Sequence, residues 1–247
     1  MKNSGGGVII TGASRGIGKG MATAFAGAGY PVLINYHTSE KEAAELARSL
    51  QARDLTVELF RADVARRGEV DALVDFCVQS FGAVSILINN AGIGQTKLFT
   101  ELSDEDWDAV MDVNLKGVFN CTQSVLRYML PAKKGKIINI SSIWGLAGAS
   151  CEVHYSAAKA GVIGFTKALA KELGPSGIQV NCIAPGIVAT DMLSAYTPQE
   201  LQDLKDATPL GKIGTPEDIA ACALFLASKE ADFITGQVIS PNGGFVI

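Results

Sequence analysis

Apolar and polar positions fall into alternating blocks along this chain. Val8-Ile9-Ile10 is a short β-branched run that reads as a buried strand. Pro31 to Asn35, Val57 to Arg61, Ile86 to Ile88, Lys136 to Ile140, Gln179 to Ile183 and Val238-Ile239 read as further strands. Between them the pattern is helical: Met21 to Ala26, Glu40 to Arg53, Glu69 to Phe81, Trp107 to Asn114, Val118 to Leu130, Tyr155 to Leu173 and Pro216 to Ala227. Pro131 is expected to end the helix before it, and Gly174-Pro175 closes the long helix from Tyr155. Thr215 is an expected N-cap, with Pro216 at the first helical position. Strand and helix in alternation predict an α/β fold: a doubly wound parallel sheet covered on both faces, in a single domain over residues 1–247. Met1 to Gly7 are polar and glycine-rich and are expected to be a frayed extension. Gly186 to Leu210 is the longest stretch without a strong pattern.

Composition narrows the classes. Of 247 residues, 48% are apolar and 19% charged, ample for one large core. The net charge of −4 argues against a general affinity for nucleic acid. The five cysteines are widely spaced, no Cys-x-x-Cys or histidine-containing ligand pattern occurs, and no metal site is expected. With no signal peptide and no apolar span of ~18 residues, the expectation is a cytoplasmic chain that does not enter a membrane.

Four stretches carry chemistry. Thr11-Gly-Ala-Ser-Arg-Gly-Ile-Gly18 stands between the first strand and the first helix. Backbone N–H groups at a helix start point at an anion, and missing side chains let it approach, so this is a nucleotide-phosphate site. Ile86-Leu-Ile-Asn-Asn-Ala-Gly92 runs an apolar strand into amides and a glycine, which places Asn89, Asn90 and Gly92 at the ligand edge of a parallel sheet. Lys136-Ile-Ile-Asn-Ile-Ser-Ser-Ile143 ends another strand in hydroxyls. Tyr155 and Lys159, four apart, share one helix face. A phenol titrates near pH ~10, and a neighbouring ammonium lowers that value, which would make Tyr155 a tuned proton donor and acceptor.

Together these stretches resemble the short-chain dehydrogenase/reductase family over essentially the whole chain. The family pattern reads Thr-Gly-x-x-x-Gly-x-Gly, Asn-Asn-Ala-Gly, a helical Asn, Ser, Tyr-x-x-x-Lys and a Pro-Gly loop. Here these are Thr11 to Gly18, Asn89 to Gly92, Asn114, Ser142, Tyr155 with Lys159, and Pro185-Gly186 with Thr190. The resemblance implies a Rossmann-type sheet and a bound NADP(H). It assigns cofactor contacts to Gly12, Ser14, Arg15, Gly16, Ile17, Gly18, Asn35, Tyr36, Asp63, Val64, Asn90, Ala91, Gly92, Tyr155, Lys159, Pro185, Gly186, Val188 and Thr190. It implies that Tyr155 protonates the carbonyl oxygen and that Ser142 donates a hydrogen bond to it. Lys159 lowers the phenol pKa and holds the nicotinamide ribose, and Asn114 positions a water behind Lys159. The stretch from Gly186 to Leu210 corresponds to the family's mobile substrate loop. A homotetramer through the helices at 104–130 and 155–173 is implied as well.

Cofactor choice has a physical reading. The second strand ends Leu33-Ile34-Asn35-Tyr36-His37, with no carboxylate until Glu40 to bind a free ribose 2′-hydroxyl. Arg15 offers a guanidinium to a 2′-phosphate. Both favour NADP(H). Asn114-Leu-Lys-Gly-Val-Phe and Ile234-Thr-Gly-Gln237 resemble the 3-oxoacyl-acyl-carrier-protein reductase group, which implies a carrier-bound ketone and basic residues that hold the acidic carrier. Lys133 stands at one such position and Ser176 at another. Those reductases usually have Gln and Asn where this chain has Glu152 and His154. The stretch from Ser142 to Tyr155 instead resembles a branch that reduces a 5-aminopentanone group on elongation factor P. There Glu152 would face an ammonium group, and it is equally readable as a solvated loop acid. A reading of another class is a non-catalytic NADP-sensing regulator on the same fold.

Overall fold

The computed structural model describes residues 5–193 and 196–247. Its seven strands are β1 (Gly7–Ile10), β2 (Val32–Tyr36), β3 (Val57–Arg61), β4 (Val84–Asn89), β5 (Gly135–Ile140), β6 (Ile178–Ile183) and β7 (Val238–Ile239). They form one parallel sheet in the order β3-β2-β1-β4-β5-β6-β7. The inner strands are apolar on both faces because helices cover both. On one side Val8, Ile34, Ile88 and Ile138 pack against Phe25 of α1 (Gly16–Gly27), Leu46 of α2 (Glu40–Gln51) and Ile219 of α9 (Pro216–Ala227). On the other, Ile9, Leu33, Leu87 and Ile137 meet Leu73 of α3 (Arg67–Phe81), Val125 of α5 (Gly117–Ala132) and Leu173 of α7 (Val153–Leu173). The chain reverses direction across the sheet between β1 and β4, and ligands of such sheets lie outside that switch point.

The other helices are α4 (Asp104–Met111), α6 (Trp144–Ala147) and α8 (Pro198–Asp206). Between α4 and α5, Asp112–Lys116 form a π-helical turn, so one rod runs from Asp104 to Ala132 with a bulge inside it. No helix among the described residues is long and apolar enough to cross a membrane.

Most element ends shift by a few residues from the sequence reading, and some differences have a clear local reason. Gly7 belongs to β1 and not to the extension: it pairs with Val84, its N–H donates to Ala83 O at 2.7 Å, and a Cβ there would lie 2.7 Å from Cys77 Sγ and against the Phe81 ring. Pro131 does not stop α5. The helix runs through it to Ala132 and ends at Lys133 in left-handed geometry, φ 48°. Asn114 lies in the π turn and not on a regular helix. The unpatterned stretch holds α8, started by a capping box in which the Thr197 N–H donates to Glu200 Oε2 at 2.7 Å. Hydrophobic spacing misses it because no residue of α8 is buried.

Candidate active site

The glycine loop starts at the carboxyl end of β1. Gly12 and Gly16 have φ of 59° and 53°, the left-handed region that disfavours a side chain. A Cβ on Gly12 would lie 2.8 Å from Ala91 Cα, and one on Gly16 would lie 3.3 Å from the Thr190 methyl. The loop is braced from beneath. Asn90 Nδ2 donates to Thr11 O and Gly12 O at 2.9 and 3.0 Å. Asn35, wholly buried, accepts from the Gly12 N–H at 3.2 Å and donates to Ala62 O at 3.0 Å. The Thr11 hydroxyl accepts from the N–H groups of Asn90 and Ala91 at 2.9 and 3.0 Å. Asn90 thus spends its NH₂ on the loop's own backbone, and Asn35 ties the loop at Gly12 to the backbone after β3. Asn89, expected at the ligand edge, points inward, its amide donating to Asn139 Oδ1 at 2.8 Å and to Thr122 Oγ1 at 3.1 Å.

The start of α1 has no side-chain cap and no acid in its first turn. Its free N–H groups and the helix dipole favour an anion there. Ser14 is buried beside it, and Arg15 is exposed with no ion-pair partner among the described residues. Ile17 packs against the core behind the loop. The Pro185 to Thr190 loop flanks the opening. Pro185 O accepts from the Ile143 N–H at 3.0 Å, and Val188 bridges Gly214. Gly186 runs close against the Asn242 backbone, where a Cβ would lie 2.6 Å from Asn242 Cα. Past β3, Asp63 pairs with Arg66 at 3.5 Å and accepts from the Ala65 N–H. Val64 is buried under Gly117, and Tyr36 is buried at the end of β2. An uncapped helix start, a close-approach glycine loop and an unpaired guanidinium fit a phosphorylated dinucleotide. Among the described residues, no group of three metal-ligating side chains occurs.

Beside this cradle the residues expected to handle the proton converge. Lys159 is buried, and its Nζ donates to Ile140 O at 2.9 Å. It stands 5.6 Å from the Tyr155 ring centroid. Ser142 is buried at the end of β5 and accepts from the Trp144 N–H at 3.1 Å. Ser141 locks the neighbouring turn of α7 by donating to Lys159 O at 2.8 Å. Asn114 is fully buried, with Oδ1 accepting from the Ile93 N–H at 3.1 Å and Nδ2 donating to Ile93 O at 2.8 Å. Gly92 separates Asn114 from Lys159: a Cβ there would lie 2.6 Å from Asn114 Oδ1 and 3.4 Å from Lys159 Nζ.

The electrostatics differ from the sequence expectation. Burial pushes the Tyr155 phenol up to about 12, the Ser142 hydroxyl pulls it down in part, and the Glu152 carboxylate raises it. Burial pushes Lys159 down to about 8. Lys159 does not act on Tyr155 in this balance: its Nζ is turned to the Ile140 carbonyl and stands 5.6 Å from the phenol ring centroid. Glu152, at the N-cap of α7, makes no side-chain capping bond, and burial raises its carboxyl. Lys133 and Ser176 do not flank this cleft. Ser176 follows the far end of α7, roughly 30 Å from Tyr155 at ~1.5 Å per residue.

A tyrosine, a lysine and a serine grouped beside a glycine-loop cradle fit, by class, a nicotinamide-dependent oxidoreductase, and the comparisons give the same class. The family model described as Enoyl-(Acyl carrier protein) reductase matches residues 12–246. The chain is 42% identical over 236 residues to the 3-oxoacyl-[acyl-carrier-protein] reductase FabG of Staphylococcus aureus (strain Mu50), covering 96% of each chain. It is 43% identical over 239 residues to the FabG of Chlamydia muridarum, covering 96% of this chain and 95% of that one. It is also 43% identical over 240 residues to the 3-oxoacyl-[acyl-carrier-protein] reductase of Synechocystis sp., covering 97% and 96%. The chain belongs to the short-chain dehydrogenase/reductase family.

Proposed function

We propose that this protein is an NADPH-dependent reductase of a 3-oxoacyl thioester presented on acyl carrier protein. The observation that carries the reading is the grouping of Ser142, Tyr155 and Lys159 beside the glycine cradle, in a chain whose full-length relatives bear that reductase name. Gly12, Gly16, Gly18 and the start of α1 hold the pyrophosphate, Arg15 takes the 2′-phosphate, and Lys159 holds the ribose nearest the reacting carbon. NADPH, when bound, supplies the hydride. Tyr155 gives its phenol proton to the ketone oxygen, so that hydride and proton together convert C=O to CH–OH. The Ser142 hydroxyl donates a hydrogen bond to the same oxygen and stabilises the charge that develops there. Asn114 and Lys159, meeting across Gly92, mark the side from which the phenol is re-protonated.

An amino-ketone such as the 5-aminopentanone group on elongation factor P is a second reading, favoured by Glu152. This desolvated carboxyl has no hydrogen-bond or ion-pair partner among the described residues and stands close enough to Tyr155 to raise its pKa. An ammonium on the substrate would pair with it. We assign the protein to the cytoplasm and to a homotetramer; exposed Phe119, with Met111, Leu115 and Phe165 around it, offers an apolar seam along the rod and α7 for that assembly.

The test is NADPH oxidation with an acetoacetyl thioester, a simple ketone and an aminopentanone-bearing peptide, in the wild type and Glu152→Gln. Turnover of the thioester that holds or rises in the variant supports the carrier-bound ketone. A several-fold loss confined to the amino-ketone, the size expected of a partly exposed pair worth up to ~1 kcal/mol, moves the assignment to the second reading. No oxidation with any ketone would leave a non-catalytic NADP-binding role.

A further inference from the structure

Tyr155 sits in the first turn of α7, where helices fray because the first four N–H groups have no intrahelical acceptors. Three other helices secure that turn with capping boxes: Ser103 with Asp106 on α4, Thr197 with Glu200 on α8, Thr215 with Asp218 on α9. The helix that carries Tyr155 has none, and its N-cap Glu152 makes no capping bond. Something else must hold this end.

The hold comes from the segment after Gly92. Asp106 accepts from Lys97 Nζ at 2.6 Å, from Gln95 Nε2 at 2.9 Å and from the Ser103 N–H at 3.1 Å. These donors hold its carboxyl far below the usual range, the Lys97 and Gln95 bonds foremost, so it is a permanent acceptor. An acceptor-only carboxylate fixes the Gln95 amide with its NH₂ toward Asp106 and its oxygen turned away. That oxygen meets His154 Nε2 at 3.3 Å. His154 is wholly buried, one residue before Tyr155, and its Nδ1 has no partner. Gln95 is thus the one polar hold on the ring among the described residues, and it sets the tautomer: Nε2 donates. A second strap lies beside it, the Lys97 N–H donating to Cys151 O at 2.8 Å. At its other end the segment is tied to Asn114 through both polar atoms of Ile93.

We propose that Gln95, oriented by Asp106, positions Tyr155 by clamping His154, so that one segment sets the register between the proton donor on α7 and Asn114 in the rod. His154 and Gln95 are positioning residues: neither needs to touch substrate. The inference rests on the reductase reading for its kinetic arm alone.

The test compares Gln95→Leu, His154→Leu and His154→Gln with the wild type. Gln95 is partly exposed, so its variant is not expected to unfold; His154→Gln returns an amide nitrogen near the place of Nε2. For Gln95→Leu and His154→Leu, kcat for ketone reduction should fall ~10-fold or more while the NADPH dissociation constant stays within ~2-fold, as when an outer partner of a reacting group is lost. His154→Gln should recover most of kcat. The double Leu variant should be no worse than either single, since both cut one bond. Independently of turnover, deuterium exchange of the amides at 151–156 should quicken ~10-fold in both Leu variants, with the rest of α7 unchanged. Equal activity of His154→Leu and His154→Gln, additive losses, or unchanged exchange at 151–156 would overturn the proposal. A wild type inactive on every ketone would remove the reductase reading while the exchange arm still decides the clamp.

Discussion

Lys159→Met should make the unliganded protein more stable while removing its activity. The lysine is buried, and the fall of its pKa from 10.5 to about 8 corresponds to roughly 3 kcal/mol at ~1.4 kcal/mol per pH unit. Methionine fills similar space without the charge. Against this stands the bond from Nζ to Ile140 O at 2.9 Å, whose loss leaves a buried carbonyl short of a partner at a cost of ~1–2 kcal/mol. The net gain is about 1–2 kcal/mol at neutral pH, or ~2–8 °C in Tm for a chain of this size. Its pH dependence is specific. Below pH 8 the folded and unfolded states both carry the charge and the whole penalty stands. Between about 8 and 10.5 the folded state releases its proton first, the unfolded state binds more protons, and wild-type stability rises with pH. The advantage of the variant should therefore shrink across that window. Urea unfolding of both proteins at pH 7 and pH 10 measures it. A variant less stable than the wild type at pH 7, or an advantage that does not change with pH, would refute the burial penalty. Ketone reduction by the variant should fall by at least ~10²-fold.

Tyr155→Phe should lower ketone reduction ~10²–10⁴-fold with little change in NADPH affinity measured by fluorescence titration, since the ring stays and the proton donor goes. Arg15→Ala should weaken NADPH several-fold more than NADH in the same titration, and equal weakening would reduce Arg15 to shaping the loop. Gly92→Ala should keep the fold by circular dichroism yet lose most activity, because its Cβ would lie 2.6 Å from Asn114 Oδ1 and 3.4 Å from Lys159 Nζ.

What the sequence discloses and what it conceals divide along physical lines. Strands buried on both faces are largely apolar, so β2, β4, β5 and β6 stand out as Val/Ile/Leu-rich runs within a residue or two of their ends, while the edge strand β3 shows through Val57, Leu59 and Phe60 between exposed Glu58 and Arg61. Pro216 behind Thr215 marks α9 because capping chemistry is local. The same signal, Thr197-Pro198-Gln199-Glu200, is present at α8, where the apolar pattern is silent. The residues of the site can be named because they match the family pattern in its order, yet the duties of several cannot. Asn35, Asn89 and Asn90 look alike as polar residues at strand ends, and only their partners reveal that Asn35 and Asn90 hold backbone while Asn89 holds the Asn139 and Thr122 side chains. The tie of His154 through Gln95 to Asp106 joins three positions with no common spacing and leaves no trace in one sequence. The electrostatic balance of Tyr155 is hidden for a related reason: four-residue spacing fixes a helix face but not where a long side chain ends.

The π turn at Asp112–Lys116 carries one residue more than a regular helix needs between the same two ends. Shortening the chain there by one residue would let the rod close into uninterrupted α-helix without moving Asp104 or Ala132. Every backbone bond would then be of the ordinary kind, and Asn114 would be carried off its contact with Ile93. The bulge thus serves the placement of Asn114 and not the continuity of the helix. A single-codon deletion here should yield a protein that expresses and folds well, and does nothing.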